Sequence, residues 1–146
     1  LAKANRNYAI EYIRNGVREL VGVLGPDRAL ELGHLSARLT GLHHYKTMAA
    51  AIGVEEGGPE SAANFLSALF QGMGDETRIE ALQGEAGFAV HQTGLRIARG
   101  LDGAERERLL SCWIEIWKGA IASHREFMDV QVTQSDDGLI WLIAPE

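Results

Sequence analysis

The chain has 146 residues, of which 46% are hydrophobic, and carries a formal net charge of −6 with an isoelectric point near 5.4. This length suits a single domain, residues 1–146, with a buried core, and the acidic balance argues against nucleic-acid binding because no basic surplus can neutralise phosphates. No apolar run approaches the roughly 18 residues that cross a bilayer, so we expect a cytoplasmic protein without a membrane partner.

The N-terminal part, residues 1–74, is predicted to hold three helices. Apolar residues recur every three or four positions over Tyr8–Leu24, which is typical of an amphipathic helix. A Gly-Pro pair ends it, and a second helix is predicted over Pro26–Ile52, with Gly33 and Gly41 as points where it could break. A third helix is predicted over Glu60–Met73, after a glycine-rich turn.

The remaining part, residues 75–146, opens with patterns typical of strands. Short strands are predicted over Arg78–Ala81 and Phe88–Gln92, joined as a hairpin. Alternation along the second strand places Gln92 on the same face as Val90. A short helix is predicted over Leu95–Leu101.

A long helix is predicted from Ala104 to Met128, with Asp102 as its N-cap and Glu105 at capping-box spacing. A second hairpin follows, with strands over Asp129–Ser135 and Leu139–Ile143 around an Asp-Asp-Gly turn. The predicted fold is therefore α+β: three N-terminal helices, a β-hairpin, the long helix and another β-hairpin. The strands would form a four-stranded antiparallel sheet packed by helices.

The long helix concentrates the side chains that could carry chemistry. At about 100° per residue, Trp113, Trp117 and His124 share its central apolar face. His124 could be a general base, or a core histidine hydrogen-bonded to a backbone carbonyl or a neighbouring side chain. Trp113 and Trp117 could contact a ligand or fill the core.

Cys112 is the only cysteine, which excludes an intramolecular disulfide and a zinc site built from thiolates. It could be a nucleophile if a neighbour lowers its pKa, or a small buried apolar residue. On one straight helix it lies about 120° and roughly 18 Å from His124, so these two cannot pair within one subunit. Its base would be His44 or His34, from a neighbouring helix.

The second helix offers a possible binding stripe. His34, Arg38 and Tyr45 lie within about 40° of one another on it. If this stripe faces the core, Arg38 could anchor a substrate carboxylate; if it faces solvent, the stripe has no such role. The adjacent His43 and His44 diverge by about 100°, too far for both rings to bind one ion, so we expect no metal and no cofactor.

Short motifs in the chain resemble a known family. Leu24-Gly25-Pro26-Asp27-Arg28-Ala29-Leu30 forms a Leu-Gly-x-x-x-Ala-Leu turn, and the long helix contains Leu110-Ser111-Cys112 with Glu115 three residues after the cysteine. Together with the succession of elements, these motifs are similar to the L-2-amino-thiazoline-4-carboxylic acid hydrolases and, more loosely, to 4-vinyl-reductase-type small-molecule-binding domains. The resemblance implies a site for a small molecule. The further cysteines expected in the hydrolases are absent here.

Three functions follow from these observations. The first is a small hydrolase that cleaves a C–N bond in a compact, heterocyclic or carboxylate-bearing molecule, with Cys112, His124 and His44 as catalytic candidates. The side chains expected to contact its substrate are Arg38, Tyr45, His34, Trp113 and Trp117. The second is a non-catalytic binding or sensor domain with an aromatic-lined pocket. The third is a helical accessory subunit, in which the small residues Gly119, Ala122 and Ser123 admit another helix. A homodimer is the expected assembly.

Overall fold

The computed structural model describes residues 2–55, 57–124 and 126–146, with side chains from residue 7 onward. Its elements in chain order are α1 (Ala2–Leu24), α2 (Pro26–Ile52), α3 (Pro59–Gly72), β1 (Glu76–Ala81), β2 (Phe88–Thr93), a 3-10 turn (Arg96–Ala98), α4 (Gly103–Ile121), β3 (Met128–Gln134) and β4 (Gly138–Pro145). The α+β prediction is confirmed. In this part of the chain no helix combines the length and the hydropathy that a membrane span requires.

The four strands form one antiparallel sheet, as predicted, and their order in it is β1-β2-β4-β3. The two hairpins are joined at their centre, where Val90 of β2 lies opposite Trp141 of β4. The buried face of the sheet carries both of these side chains, together with Gln92, Leu139 and Ile143. Helix α3 packs on β1, β2 and β4, while α4 contacts β3 and packs against α2. The core therefore lies between the sheet and the helices.

Helices α2 and α4 run in the same direction and approach each other closely. Small residues occupy every fourth position along the buried face of α2: Ala29, Gly33, Ala37 and Gly41. A Cβ on Gly41 would lie 1.7 Å from the carbonyl oxygen of Ile116, so only glycine fits there. The helix does not break at Gly33 or Gly41. These glycines instead give α4 room to pack against α2.

Helix α4 ends at Ile121 rather than at Met128, where the apolar pattern places its end. The backbone N–H of His124 donates to the carbonyl of Ile121, which closes the last turn as a tighter 3-10 turn. Met128 instead opens β3 opposite Pro145. Pairing with β4 gives this strand its backbone partners. Phe127, just before the strand, is 82% exposed and does not lie on an apolar helix face.

The start of α4 was placed correctly, but its predicted capping bonds are not present. Asp102 is the N-cap residue in extended conformation, and its side chain makes no capping hydrogen bond among the described residues. Glu105 instead accepts a 2.8 Å hydrogen bond from Arg18 of α1. This acid therefore links α4 to α1 rather than closing a capping box.

Candidate functional site

A cavity of about 520 Å³ lies between α1, α2 and α4. This volume falls in the range of about 300 to 1,000 Å³ that small-molecule sites occupy. Apolar side chains form most of its wall, and α2 adds a polar strip of Ser36, Thr40, His44 and Thr47. Among the residues that the structure describes, no Asp, Glu, Lys or Arg side chain lines the cavity. Its chemistry suits an uncharged, largely apolar molecule.

Two tryptophans of α4 line this cavity, and each has a buried indole nitrogen. Trp113 is 1% exposed and Trp117 is 5% exposed, and their rings meet edge to face with centroids 5.1 Å apart. Neither indole nitrogen has a hydrogen-bond partner within the described parts of the chain. A buried donor without a partner costs about 1–3 kcal/mol, part of which an acceptor within hydrogen-bond distance of either nitrogen would recover.

Cys112 lines the same cavity, and its sulfur lies 3.0 Å from the position that a Cβ would take on Gly33. Burial raises the pKa of the Cys112 thiol above its ordinary value, and the nearby Glu115 carboxylate raises it further. The thiol is therefore protonated at neutral pH. Because the thiolate is the nucleophilic form, this environment opposes the activation that catalysis requires.

His44 also lines the cavity, but at a different level of α2. It follows Gly33, beside which Cys112 packs, by eleven residues, or about 16 Å along the helix axis. Its ring contacts that of His43, with centroids 4.8 Å apart. Cys112 and His44 thus share a cavity without forming a nucleophile and base pair.

The other predicted partner of Cys112, His34, contacts the residue before the cysteine. Nε2 of His34 is hydrogen-bonded to the hydroxyl of Ser111. A serine and histidine pair needs backbone donors for a developing oxyanion. Both residues lie inside long helices, whose N–H groups are already bonded to helix carbonyls. Neither residue lines the cavity, so this pair is a contact between α2 and α4.

Arg38 lies one turn further along α2 and binds an acid of the protein itself. Its Nη2 is 2.6 Å from Oε2 of Glu115, and its side chain is 58% exposed. The predicted stripe therefore splits, because Tyr45 is fully buried while Arg38 is on the surface. Arg38 is not placed to anchor a carboxylate in the cavity.

His124 is buried beyond the end of α4, against Tyr45. Nε2 of His124 lies 3.1 Å from the Tyr45 hydroxyl, and Nδ1 lies 3.2 Å from the carbonyl oxygen of Ile121. Because a carbonyl only accepts, Nδ1 carries the hydrogen, and in the neutral ring Nε2 accepts from Tyr45. Both ring nitrogens thus have protein partners. This is the arrangement of a core histidine that is hydrogen-bonded to a backbone carbonyl and a neighbouring side chain.

Comparisons with protein-family models, with curated proteins and with solved structures found no match for this chain. The resemblance to the thiazoline carboxylic acid hydrolases therefore stays a prediction. Function must be inferred from the geometry of the cavity.

The structure divides the predicted site residues into two groups. Those that line the cavity are Cys112, His44, Trp113 and Trp117, and those that lie elsewhere are His34, Arg38, Tyr45 and His124. Nowhere in the described ranges do three His, Cys, Asp or Glu side chains come together as metal ligands.

Sequence reasoning named no residue of α1 as part of the site. Ile13, Gly16 and Val17 line it from that side. Gly16 was a usable signal, because a glycine inside an amphipathic helix marks a place where a side chain is absent from a packing face. The polar strip of α2 gave no comparable signal.

A buried polar chain under the sheet was also missed. The indole of Trp141 donates to Oε1 of Gln92 at 3.0 Å, and Nε2 of Gln92 donates to Oδ2 of Asp75 at 2.7 Å. Oδ1 of Asp75 accepts a 2.9 Å hydrogen bond from the backbone N–H of Arg96. Alternation had placed Gln92 on the buried face, which was the signal that a buried partner was needed.

Proposed function

We propose that this chain is a cytoplasmic small-molecule-binding domain that takes an uncharged, mainly apolar ligand in the cavity between α1, α2 and α4. The observation that carries this proposal is the pair of buried indole N–H groups of Trp113 and Trp117. Both tryptophans line a cavity of about 520 Å³, and their buried N–H groups lack partners among the described residues. A ligand with one acceptor, such as a carbonyl or ether oxygen, would supply the missing hydrogen bond.

The charge of the wall supports a neutral ligand over a carboxylate. A carboxylate that enters an apolar cavity loses its hydration and needs a cation in return. The wall described by the structure holds no lysine or arginine, and Arg38 is bound to Glu115 on the surface. We therefore replace the predicted carboxylate-bearing substrate with a neutral ligand in this proposal.

The positions of the reactive side chains favour binding over hydrolysis. The pKa of Cys112 is raised. His44 lies about 16 Å along α2 from Gly33, the residue beside which Cys112 packs. His124 is paired with Tyr45 outside the cavity. The hydrolase with Cys112, His124 and His44 stays a prediction. Turnover of a substrate by the wild type, together with loss of that turnover in Cys112→Ala, would support it.

A matched pair of probes tests the proposal. Benzophenone has an apolar body and one carbonyl acceptor, whereas diphenylmethane has the same rings without the acceptor. We expect calorimetry to show binding of both, with benzophenone favoured about tenfold because one hydrogen bond to a buried donor is worth about 1–1.5 kcal/mol. Failure of both probes to bind would contradict the proposal.

A matched pair of variants locates the binding in the cavity. Gly16 and Gly22 both lie in α1, and a Cβ on either meets no atom within 4 Å, but only Gly16 lines the cavity. We expect Gly16→Leu to weaken benzophenone binding at least tenfold by occupying the cavity, and Gly22→Leu to leave it unchanged. Equal affinities in the two variants would place the ligand elsewhere.

The predicted homodimer stays a prediction, and two of the three small residues predicted to admit another helix contact α2 of the same chain. A Cβ on Gly119 would lie 2.1 Å from the carbonyl oxygen of Arg38, and the hydroxyl of Ser123 donates to the carbonyl of Leu42 at 3.3 Å. These small residues thus face α2 of the same chain. A second copy would need a different face.

A further inference from the structure

A second pocket, of about 310 Å³, lies between α1 and the N-terminal half of α4. We call it the arginine pocket. The charged side chains that line it are Arg14, Arg18, Arg108 and Glu105. Three arginines and one acid leave a local excess of two positive charges, whereas the whole chain has a formal net charge of −6. The charge balance of the chain is thus reversed in this pocket.

Two of these arginines are half-buried and lack an ionic partner. Among the described side chains, the half-buried arginines are Arg14, Arg96, Arg106 and Arg108. Arg96 and Arg106 each donate a hydrogen bond to a side-chain amide oxygen. Arg14 and Arg108 form no ion pair with any acid that the structure describes. A guanidinium that loses part of its hydration normally gains an acceptor in return, so an anion is missing from this pocket.

The third arginine shows how an oxyanion is held in the same wall. Oε1 of Glu105 accepts hydrogen bonds from Nε of Arg18 at 2.9 Å and from Nη2 at 2.8 Å. This ion pair neutralises Arg18, so the two positive charges in excess belong to Arg14 and Arg108. Because no described acid holds these two side chains, they can turn toward an anion that enters between α1 and α4.

The size of the pocket and its apolar wall limit the kind of anion. A volume of about 310 Å³ lies at the lower end of the range of small-molecule sites. A polyanion would need a more extended basic surface. Val17, Leu101 and Leu109 also line the pocket, and an inorganic anion would leave them uncovered. These features favour an organic anion with an apolar body.

We propose that the arginine pocket binds a small oxyanion on an apolar body, such as an aryl carboxylate. Arg14 and Arg108 donate charge-assisted hydrogen bonds to the oxyanion, and the apolar wall contacts the body. This site goes beyond the cavity of the proposed function and does not depend on it. Val17 lines both spaces, but no arginine lines that cavity.

Two related anions test the class of ligand. Phenylacetate is acetate with an added phenyl ring, and phenylacetamide has the same body without the charge. We expect calorimetry to give phenylacetate a dissociation constant below about 1 mM, with acetate and phenylacetamide each at least about tenfold weaker. No binding of phenylacetate, or equal affinities for all three probes, would overturn the proposal.

A matched pair of double variants locates the anion. We expect Arg14→Gln/Arg108→Gln to weaken phenylacetate binding about tenfold or more, because both charged donors are lost. Arg28→Gln/Arg78→Gln is the control, since it removes two exposed arginines outside the pocket and changes the net charge equally. Circular dichroism checks that both variants keep their helices. Equal affinities in the two variants would overturn the site.

Two further variants change the wall and the neighbouring cavity. Glu105→Gln removes the acid of the pocket and frees Arg18, so we expect it to strengthen phenylacetate binding about threefold or more. Weaker or unchanged binding would mean that the anion does not lie beside Glu105. Gly16→Leu fills the cavity between α1, α2 and α4 and should leave the affinity for phenylacetate unchanged. A loss of affinity in Gly16→Leu would place phenylacetate in that cavity and overturn the arginine pocket.

Discussion

The hydroxyl of Tyr45 and Nε2 of His124 lie 3.1 Å apart, in a buried contact that joins α2 to the turn after α4. The two rings are also in contact, with centroids 4.6 Å apart. Because Nδ1 of the same imidazole faces the carbonyl of Ile121, the histidine fixes the chain where α4 ends. A residue that the sequence offered as a general base thus has a structural role in this fold.

Removal of the Tyr45 hydroxyl should destabilise the fold. Tyr45→Phe keeps the buried ring and leaves Nε2 of His124 without this partner, so we expect a loss of about 1–2 kcal/mol in the free energy of unfolding. Urea denaturation measures it. Tyr8→Phe is the control, because Tyr8 is exposed and its substitution should leave stability unchanged. Equal stabilities of the two variants would contradict a structural role for the Tyr45 and His124 contact.

The close approach of α2 and α4 predicts a large effect of a single methyl group. In Gly41→Ala the new Cβ would lie 1.7 Å from the carbonyl oxygen of Ile116, so the helices must separate. We expect a destabilisation of about 3 kcal/mol or more, measured by thermal unfolding. In Gly22→Ala the Cβ meets no atom within 4 Å. That control should be neutral or stabilising by up to about 1 kcal/mol. A neutral Gly41→Ala would mean that these helices are further apart.

Asp75 should make stability depend on pH. Burial raises the pKa of Asp75 above its ordinary value of 3.8, although hydrogen bonds from Arg96 and Gln92 oppose this. A raised folded-state pKa means that the folded protein binds the proton first as pH falls. The stability contributed by this carboxyl is therefore complete below pH 3.8 and is lost as pH rises through the raised pKa.

Asp75→Asn isolates that contribution. An amide has only one oxygen, so one of the two donors, Gln92 or Arg96, would face the NH2 group of the new side chain. We therefore expect a loss of about 1–3 kcal/mol in the free energy of unfolding at neutral pH. The difference in unfolding free energy between wild type and variant should grow as pH falls from neutral toward 3.8. A difference that stays constant or shrinks on acidification would show that the pKa of Asp75 is not raised.

The reactivity of Cys112 reports its environment. Because its pKa is raised by burial and by Glu115, alkylation by iodoacetamide should be slow at neutral pH and accelerate only at alkaline pH. Glu115→Gln removes one cause and should shift the rate profile to lower pH. Glu105→Gln removes a carboxylate from another α4 ion pair and should leave the profile in place. Fast alkylation of the wild type at neutral pH would instead indicate an activated thiol.

Local signals predicted most of the fold. Apolar periodicity and the Gly-Pro and Gly punctuation placed α2 at its observed bounds, and turn residues placed both hairpins. The predicted end of α4 was wrong because Met128 continues the helical period in the sequence, whereas strand pairing with Pro145 decides the conformation of Met128. That pairing partner is remote in the chain and invisible to a periodicity argument.

The site was predictable only in part, for a geometric reason. Angular position on α4 put both tryptophans on a buried face. The angle between Cys112 and His124 assumed a helix through residue 124, whereas α4 ends at Ile121. Angular position could not show that Arg38 would meet Glu115, because that depends on how α2 and α4 dock. Nor could it show which residues of α1 form the third wall of the cavity.

The central claim is that the indole N–H groups of Trp113 and Trp117 bind an acceptor on a neutral ligand. The most direct measurement is calorimetric affinity for benzophenone and for diphenylmethane in the wild type and in Trp113→Phe/Trp117→Phe. We predict that the roughly tenfold preference for benzophenone falls to about one in the double variant, because phenylalanine keeps the apolar wall and removes both donors. Trp141→Phe, whose indole bonds to Gln92 outside the cavity, should keep the preference. A preference that survives in the double variant would contradict the claim.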